Sequence, residues 1–205
     1  MNTRKYLNTH LVLLFIVTII FIWSMVKPTS YLDWLAEVSP AVVIVILVIV
    51  TYNKFRFTTF SYIIIALLSI LTFIGGHYTY SEVPLFNWIK EEFHLHRNHY
   101  DRFGHFFKGL GVIVVREILL SFTPLKKSTW LSIISVSMVL AVAALYEIIE
   151  WLSTKISKGS QASKDFLGMQ GDQWDAQWDM SLAFIGAILS LIIFSKVHDK
   201  YLKNK

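Results

Sequence analysis

The sequence predicts an all-α membrane protein, a bundle of six transmembrane helices with N- and C-termini cytoplasmic. Three observations predict it. First, six apolar runs approach the roughly 20 residues that a helix needs to cross a ~30 Å hydrocarbon layer, and the chain is 55% hydrophobic and 16% charged with a mean hydropathy of +0.53. Second, lysine and arginine collect in alternate linkers. Third, six of the seven tryptophans fall at the ends of the runs that carry fewer cations. Such rings favour the membrane–water interface.

The spans read, in order, about 10–26, 38–53, 57–76, 101–122, 130–151 and 176–196. The first follows Arg4 and Lys5 and lacks a small-residue cleavage site after it, so it is expected to stay as a helix rather than leave as a signal peptide. Spans one to three carry almost no ionisable groups and read as a scaffold in lipid. Gly75-Gly76-His77-Tyr78 closes the third. The stretch from Pro84 to Phe93 is amphipathic and suits a short interfacial helix. His94, His96 and His99 follow it and read as a surface histidine run rather than a metal site. Span four ends before Thr123-Pro124, and span five starts near Trp130. The Ser-, Lys-, Gly- and Gln-rich stretch from Ser153 to Gly171 reads as a solvated loop or a lid. The chain 1–205 is thus one membrane domain, with a scaffold half at 10–76 and a site-bearing half at 101–196.

Orientation follows the lysine and arginine bias. Arg4, Lys5, Lys54, Arg56, Lys126, Lys127, Lys196, Lys200, Lys203 and Lys205 lie on the side assigned to the cytoplasm, with Asp199 as the one acid of its loops and tails. Trp23, Trp34, Trp88, Trp151, Trp174 and Trp178 then mark the outer interface and Trp130 the inner one. The pI of 9.3 is therefore a topology signal, and nucleic acid is not an expected partner. The absence of cysteine excludes disulfides and thiolate metal ligation.

Chemistry concentrates in three motifs at one end of the last three spans. They are Tyr100-Asp101-Arg102-Phe103-Gly104-His105, Tyr146-Glu147-Ile148-Ile149-Glu150-Trp151, and Gly171-Asp172-Gln173-Trp174-Asp175-Ala176-Gln177-Trp178-Asp179. His105, Glu147 and Asp179 each lie 17 residues from the inner end of their span, about 25 Å at the helical rise. Asp101, Glu150 and Asp175 lie about one turn further out. Short links make the three helices neighbours, so the motifs should converge. Asp101, His105 and Lys108 follow i, i+4, i+7 and share a helix face. Gly109, Gly111 and Gly186 are expected to let helices approach closely.

Charge narrows the chemistry. Asp101, Glu147, Glu150, Asp172, Asp175 and Asp179 face Arg102 and Lys108, a formal excess of four negative charges with neutral His105. Carboxylates this close in low dielectric resist ionising together. A divalent cation, retained protons or a cationic ligand would each relieve them. Carboxylate and imidazole ligands without thiolate suit Mg, Mn, Ca or Zn as a cofactor, with Asp101, His105, Glu147, Glu150, Asp172, Asp175 and Asp179 as the candidate metal ligands. Arg116 and Glu117, near the inner end of span four, are expected to snorkel to the headgroups.

At the motif residues the chain resembles a bacterial inner-membrane family typified by YjdF. The resemblance rests on Arg97-Asn98-His99-Tyr100-Asp101-Arg102 with Gly104-His105-Phe106, on Tyr146-Glu147 with Glu150-Trp151, and on Gly171-Asp172 with Trp174-Asp175 and Gln177-Trp178-Asp179-Met180. It implies a multi-pass plasma-membrane location and no particular activity. A more distant likeness to VanZ-like membrane proteins covers the last three helices. There Asp101-Arg102 with His105-Phe106, Glu147, Asp175 and Gly186 match the pattern, while Glu150 stands for the usual Gln and Asp179 for Asn.

Three function classes follow for this outward-facing pocket. An enzyme would use a metal to activate water against a lipid-linked or cell-envelope substrate, with Glu147 or Asp175 as base, His105 as acid or ligand, and Arg102 or Lys108 holding phosphate. A transporter would use the carboxylates as proton or cation carriers. A structural protein would use them to fix helix packing. Membrane lipid is the partner common to all three.

Overall fold

A computed structural model describes residues 3–156 and 169–204, with side chains from residue 7 onward. Its elements are α1 (Thr3–Met25), α2 (Tyr31–Thr51), α3 (Thr59–His77), α4 (Pro84–Glu92), α5 (Tyr100–Lys108), α6 (Gly111–Phe122), α7 (Thr129–Ile156) and α8 (Asp175–Lys203). Residues 153–156 of the Ser153–Gly171 stretch continue α7, residues 169–171 lead into the next helix, and residues 157–168 of the suggested lid lie outside the described residues.

Five of these helices, α1, α2, α3, α7 and α8, are long and apolar enough to cross a membrane. The fourth expected span is not one helix. It comes as α5 and α6, of 9 and 12 residues, joined through Gly109 and Leu110. Both linking residues keep right-handed helical dihedrals, and the turn closes with tighter three-residue bonds, Gly109 N–H to Phe106 and Leu110 N–H to Phe107. The chain therefore advances from Tyr100 to Phe122 without reversing, but each piece alone is too short to span.

The second span begins earlier than its apolar run implies. Ser30 caps α2 by accepting from the Asp33 N–H at 3.4 Å, so Asp33 and Glu37 fall inside the helix and are buried. Local capping thereby overrides the apolar count. Pro40 sits inside α2 and cannot donate to the Ala36 carbonyl. The Ser39 hydroxyl donates to that carbonyl at 3.3 Å instead.

Helix α3 is the hub of the first half, packed by both α1 and α2 around Val17, Val38, Ala41, Ala66 and Phe73. The second core joins α3, α6, α7 and α8 through Ile64, Val112, Ile113, Val139, Ala187 and Leu191. Helices α5 and α8 meet where two glycines face each other. A Cβ on Gly109 would stand 2.5 Å from the Ala187 nitrogen, and one on Gly186 would collide with the Phe106 carbonyl. Gly111 has nothing within 4 Å of its Cβ position, so the close-approach role falls to Gly109 and Gly186 and not to Gly111. This contact sets the register of α5 against α8, and with it the polar residues one to two turns away on each.

Candidate functional site

The three sequence motifs meet at one end of the bundle. Helix α5 supplies Asp101, His105 and Lys108 on one face. His105 is 1% exposed, and its Nε2 lies 3.0 Å from Lys108 Nζ, 3.5 Å from Asp101 Oδ1 and 3.8 Å from Glu147 Oε1 of α7. Asp179 of α8 completes the group. Donor atoms of Asp101, His105 and Asp179 all lie within 4.8 Å of one another. Asp179 Oδ1 and Glu147 Oε1 are buried and have no hydrogen-bond partner among the described residues. Leaving such an atom unmatched costs about 1–3 kcal/mol, more when it is charged. Glu150, one turn beyond Glu147, is also buried.

The carboxylates nearest the end of the bundle are already neutralised. The two terminal guanidinium nitrogens of Arg97 reach the two carboxylate oxygens of Asp175, and both side chains are nearly inaccessible. Arg102 contacts Asp172 at 2.5 Å and Asp175 at 3.5 Å, and its guanidinium lies over the Trp178 ring. Gln170 ties the two segments together. Its carbonyl accepts from the Asn98 N–H at 2.9 Å and its amide donates to the Asn98 carbonyl at 3.0 Å. Gln170 and Gly171 both take positive φ, 44° and 90°, a backbone reversal that glycine permits at the second position. It turns the chain into the Asp172–Asp175 segment. There the Trp174 N–H and then the Arg102 guanidinium hold the Asp172 carboxyl below its ordinary value. Burial, aided by Arg102 and Arg97, pushes the His99 imidazole down. His94 and His96 are exposed, in keeping with a surface run.

Reading the spans alone missed two contributors. Glu37 of α2 is 6% exposed and accepts from the Tyr146 hydroxyl at 2.8 Å, so the scaffold half reaches the site. The Ser30-x-x-Asp33 cap and the i, i+4 spacing of Asp33 and Glu37 were the available signals. Arg97 precedes the fourth span and carries no local signal of a partner, yet it pairs with Asp175. With both included, seven carboxylates meet three cations, and the formal excess stays at four. Lys108 is the cation beside His105. Its ammonium sits 4.8 Å from the Tyr146 ring and 5.6 Å from the Tyr80 ring.

At the opposite end a second polar network replaces the expected snorkelling. Glu117 is fully buried and Arg116 nearly so. The Glu117 carboxylate accepts from the Thr58 N–H at 2.7 Å, the Thr58 hydroxyl at 2.8 Å and the Ser61 hydroxyl at 2.6 Å. It thus caps the N-terminus of α3, where a negative charge is favoured. His198 lies 3.2 Å from the same carboxylate, and Arg116 bridges His198 to Asp199, which also pairs with Lys127 at 2.9 Å. Side chains this well matched gain more from each other than from reaching the headgroups.

Comparison with known proteins places the chain among membrane proteins. Residues 9–200 match the model of a family described as predicted membrane protein (DUF2238). The chain belongs to this family. Over 188 residues it is 37% identical to the inner membrane protein YjdF of Escherichia coli strain K12, covering 91% of this chain and 89% of that one. No solved structure matches. This protein is accordingly an inner-membrane protein with several membrane-spanning helices.

Proposed function

We propose that the acidic end of the bundle is an outward-facing divalent-cation site, and that the cation activates water against a cell-envelope or lipid-linked substrate. The observation that carries the reading is the pair of buried, unmatched oxygens, Asp179 Oδ1 and Glu147 Oε1, beside the converging donors of Asp101 and His105. A bound cation would match both atoms at once. The ligand set is Asp101, His105 and Asp179, with Glu147 as a further ligand or as the base that takes a proton from bound water. Asp172 and Asp175, paired with Arg97 and Arg102, position α8 rather than ligate, and Glu150 adds negative charge behind Glu147. Since Arg102 is engaged by two carboxylates, Lys108 is the better candidate to meet a phosphate.

Transport is less well supported. From His105 to Arg116 is eleven residues, about 16 Å of helix, and the layer between the two polar ends is the apolar core of Ile64, Val112, Ile113, Val139, Ala187 and Leu191.

The test is elemental analysis of the purified protein combined with thermal unfolding under added Mg²⁺, Mn²⁺, Ca²⁺ or Zn²⁺. A metal at a hundred times its Kd stabilises the folded state by about 2.7 kcal/mol. Asp179→Asn and Glu147→Gln should each weaken that gain, and chelation should lower the wild-type Tm. A wild type that holds no metal and responds to none, with both variants as stable or more stable, overturns the site and leaves a purely structural cluster.

A further inference from the structure

At the end of the bundle away from the acidic cluster, α1 and α2 do not close over α3. Near the acidic end they are joined, the Trp34 indole donating to the Ser24 hydroxyl at 3.1 Å. Past Pro40, where the α2 backbone lacks one bond of its ladder, the two helices leave a cavity of about 230 Å³ between them. Its floor is Ile65 and Ala66 of α3, its deep end Val17, and its walls are leucines of α1 and valines of α2. The lips are open. Leu11 and Ile49 are 54% and 49% exposed, and both stand on helices that are long and apolar enough to span the membrane. The cavity therefore faces hydrocarbon.

Its other end is polar and basic. His10 lies across it, Nδ1 2.8 Å from the Tyr52 hydroxyl and Nε2 3.0 Å from the Thr59 hydroxyl. Beyond that line Asn53, Lys54 and Arg56 are exposed, and the Arg56 guanidinium lies over the Tyr52 ring at 4.9 Å. No acid occurs between residues 38 and 81 of the sequence, nor before residue 33. From the lined residues Leu7 to Val17 the groove runs ten residues of α1, about 15 Å. An apolar slot of this length, open to the bilayer and ending at hydrogen-bonding groups and then at two exposed cations, has the layout of a phospholipid.

We propose that this groove binds one acyl chain of an anionic phospholipid, with the lipid phosphate at Lys54 and Arg56 and its ester region at the His10–Tyr52 line. Cations near a membrane surface each contribute about 1 kcal/mol toward anionic lipid, so the pair should give a preference of roughly ten- to thirtyfold over a zwitterionic lipid.

Native mass spectrometry tests this on the full chain, released from nanodiscs of equal phosphatidylglycerol and phosphatidylcholine. The wild type should retain one phosphatidylglycerol. Lys54→Gln with Arg56→Gln changes exposed side chains and should abolish the preference while leaving a lipid bound. Ala66→Phe, which fills the floor, should remove the retained lipid, and circular dichroism of that variant checks that it folds. Equal retention of the two lipids by the wild type overturns the headgroup assignment, and an unchanged preference in the Lys54→Gln, Arg56→Gln variant does the same. A wild type that retains no lipid, or a dimer that buries the groove, overturns the site itself.

Discussion

Replacing Gly186 by alanine places a methyl group on the Phe106 carbonyl oxygen, with the Gly109 Cα only 3.4 Å away. Neither neighbour is a flexible side-chain end that could swing aside. Both belong to the backbone of the α5–α6 path, so α5 and α8 must separate by about an ångström to regain ordinary contact. Overpacking of this kind costs about 1–3 kcal/mol. For a chain of this size each kcal/mol lowers Tm by about 2–4 °C, so Gly186→Ala should unfold about 2–12 °C below wild type in detergent. Because Asp101 and His105 ride on α5 and Asp179 on α8, the same separation spreads the 4.8 Å donor group and should blunt stabilisation by added metal. Gly111→Ala is the control, since its Cβ would meet nothing within 4 Å, and such a change should stay within about 0.5 kcal/mol. Equal melting points for Gly186→Ala and Gly111→Ala, with equal metal response, would refute the argument that this contact sets the site.

Arg97→Ala should destabilise the fold by up to about 3–5 kcal/mol, because buried Asp175 then keeps only its 3.5 Å contact with Arg102. Arg97→Lys should rescue little, since an ammonium cannot reproduce the two-point contact, and thermal unfolding of both variants checks this. Glu117→Ala should cost a similar amount by leaving the Thr58 N–H and two hydroxyls without their acceptor. Glu117→Gln keeps an acceptor oxygen and should cost less by chemical denaturation. Asp172 titrates lower in the folded chain than its ordinary 3.8 because the Trp174 N–H and Arg102 favour the carboxylate. Its contribution is therefore present above pH 3.8 and lost as pH falls through the folded value, so the Tm gap between wild type and Asp172→Asn should shrink in acid. Reporter fusions after Lys54 and Lys127 should read cytoplasmic, and one within Ser81–Phe93 should read external. The reverse pattern would turn the acidic site inward.

The sequence by itself determined the all-helical membrane architecture and the location of its chemistry. Both follow from local rules: a run of some twenty apolar residues has few alternatives in lipid, and helical rise fixes the depth of His105, Glu147 and Asp179 along their spans. It located the ends of those spans less well, because apolar counting stops at Asp33 and Glu37 although the Ser30 cap carries α2 past them. Tertiary structure alone decided the partners. Arg97 and Asp175 are 78 residues apart, as distant as any chance pair in sequence terms, and no local spacing distinguishes that match from Arg97 left in solvent. The Gly109–Gly186 contact, the Tyr146 hydroxyl on Glu37 and the Glu117 cap on α3 have the same origin. Each is a match in shape or hydrogen bonding between surfaces that come together only when the helices pack, and that packing chose which carboxylates are satisfied and which, Glu147 and Asp179, retain a buried oxygen without a hydrogen bond.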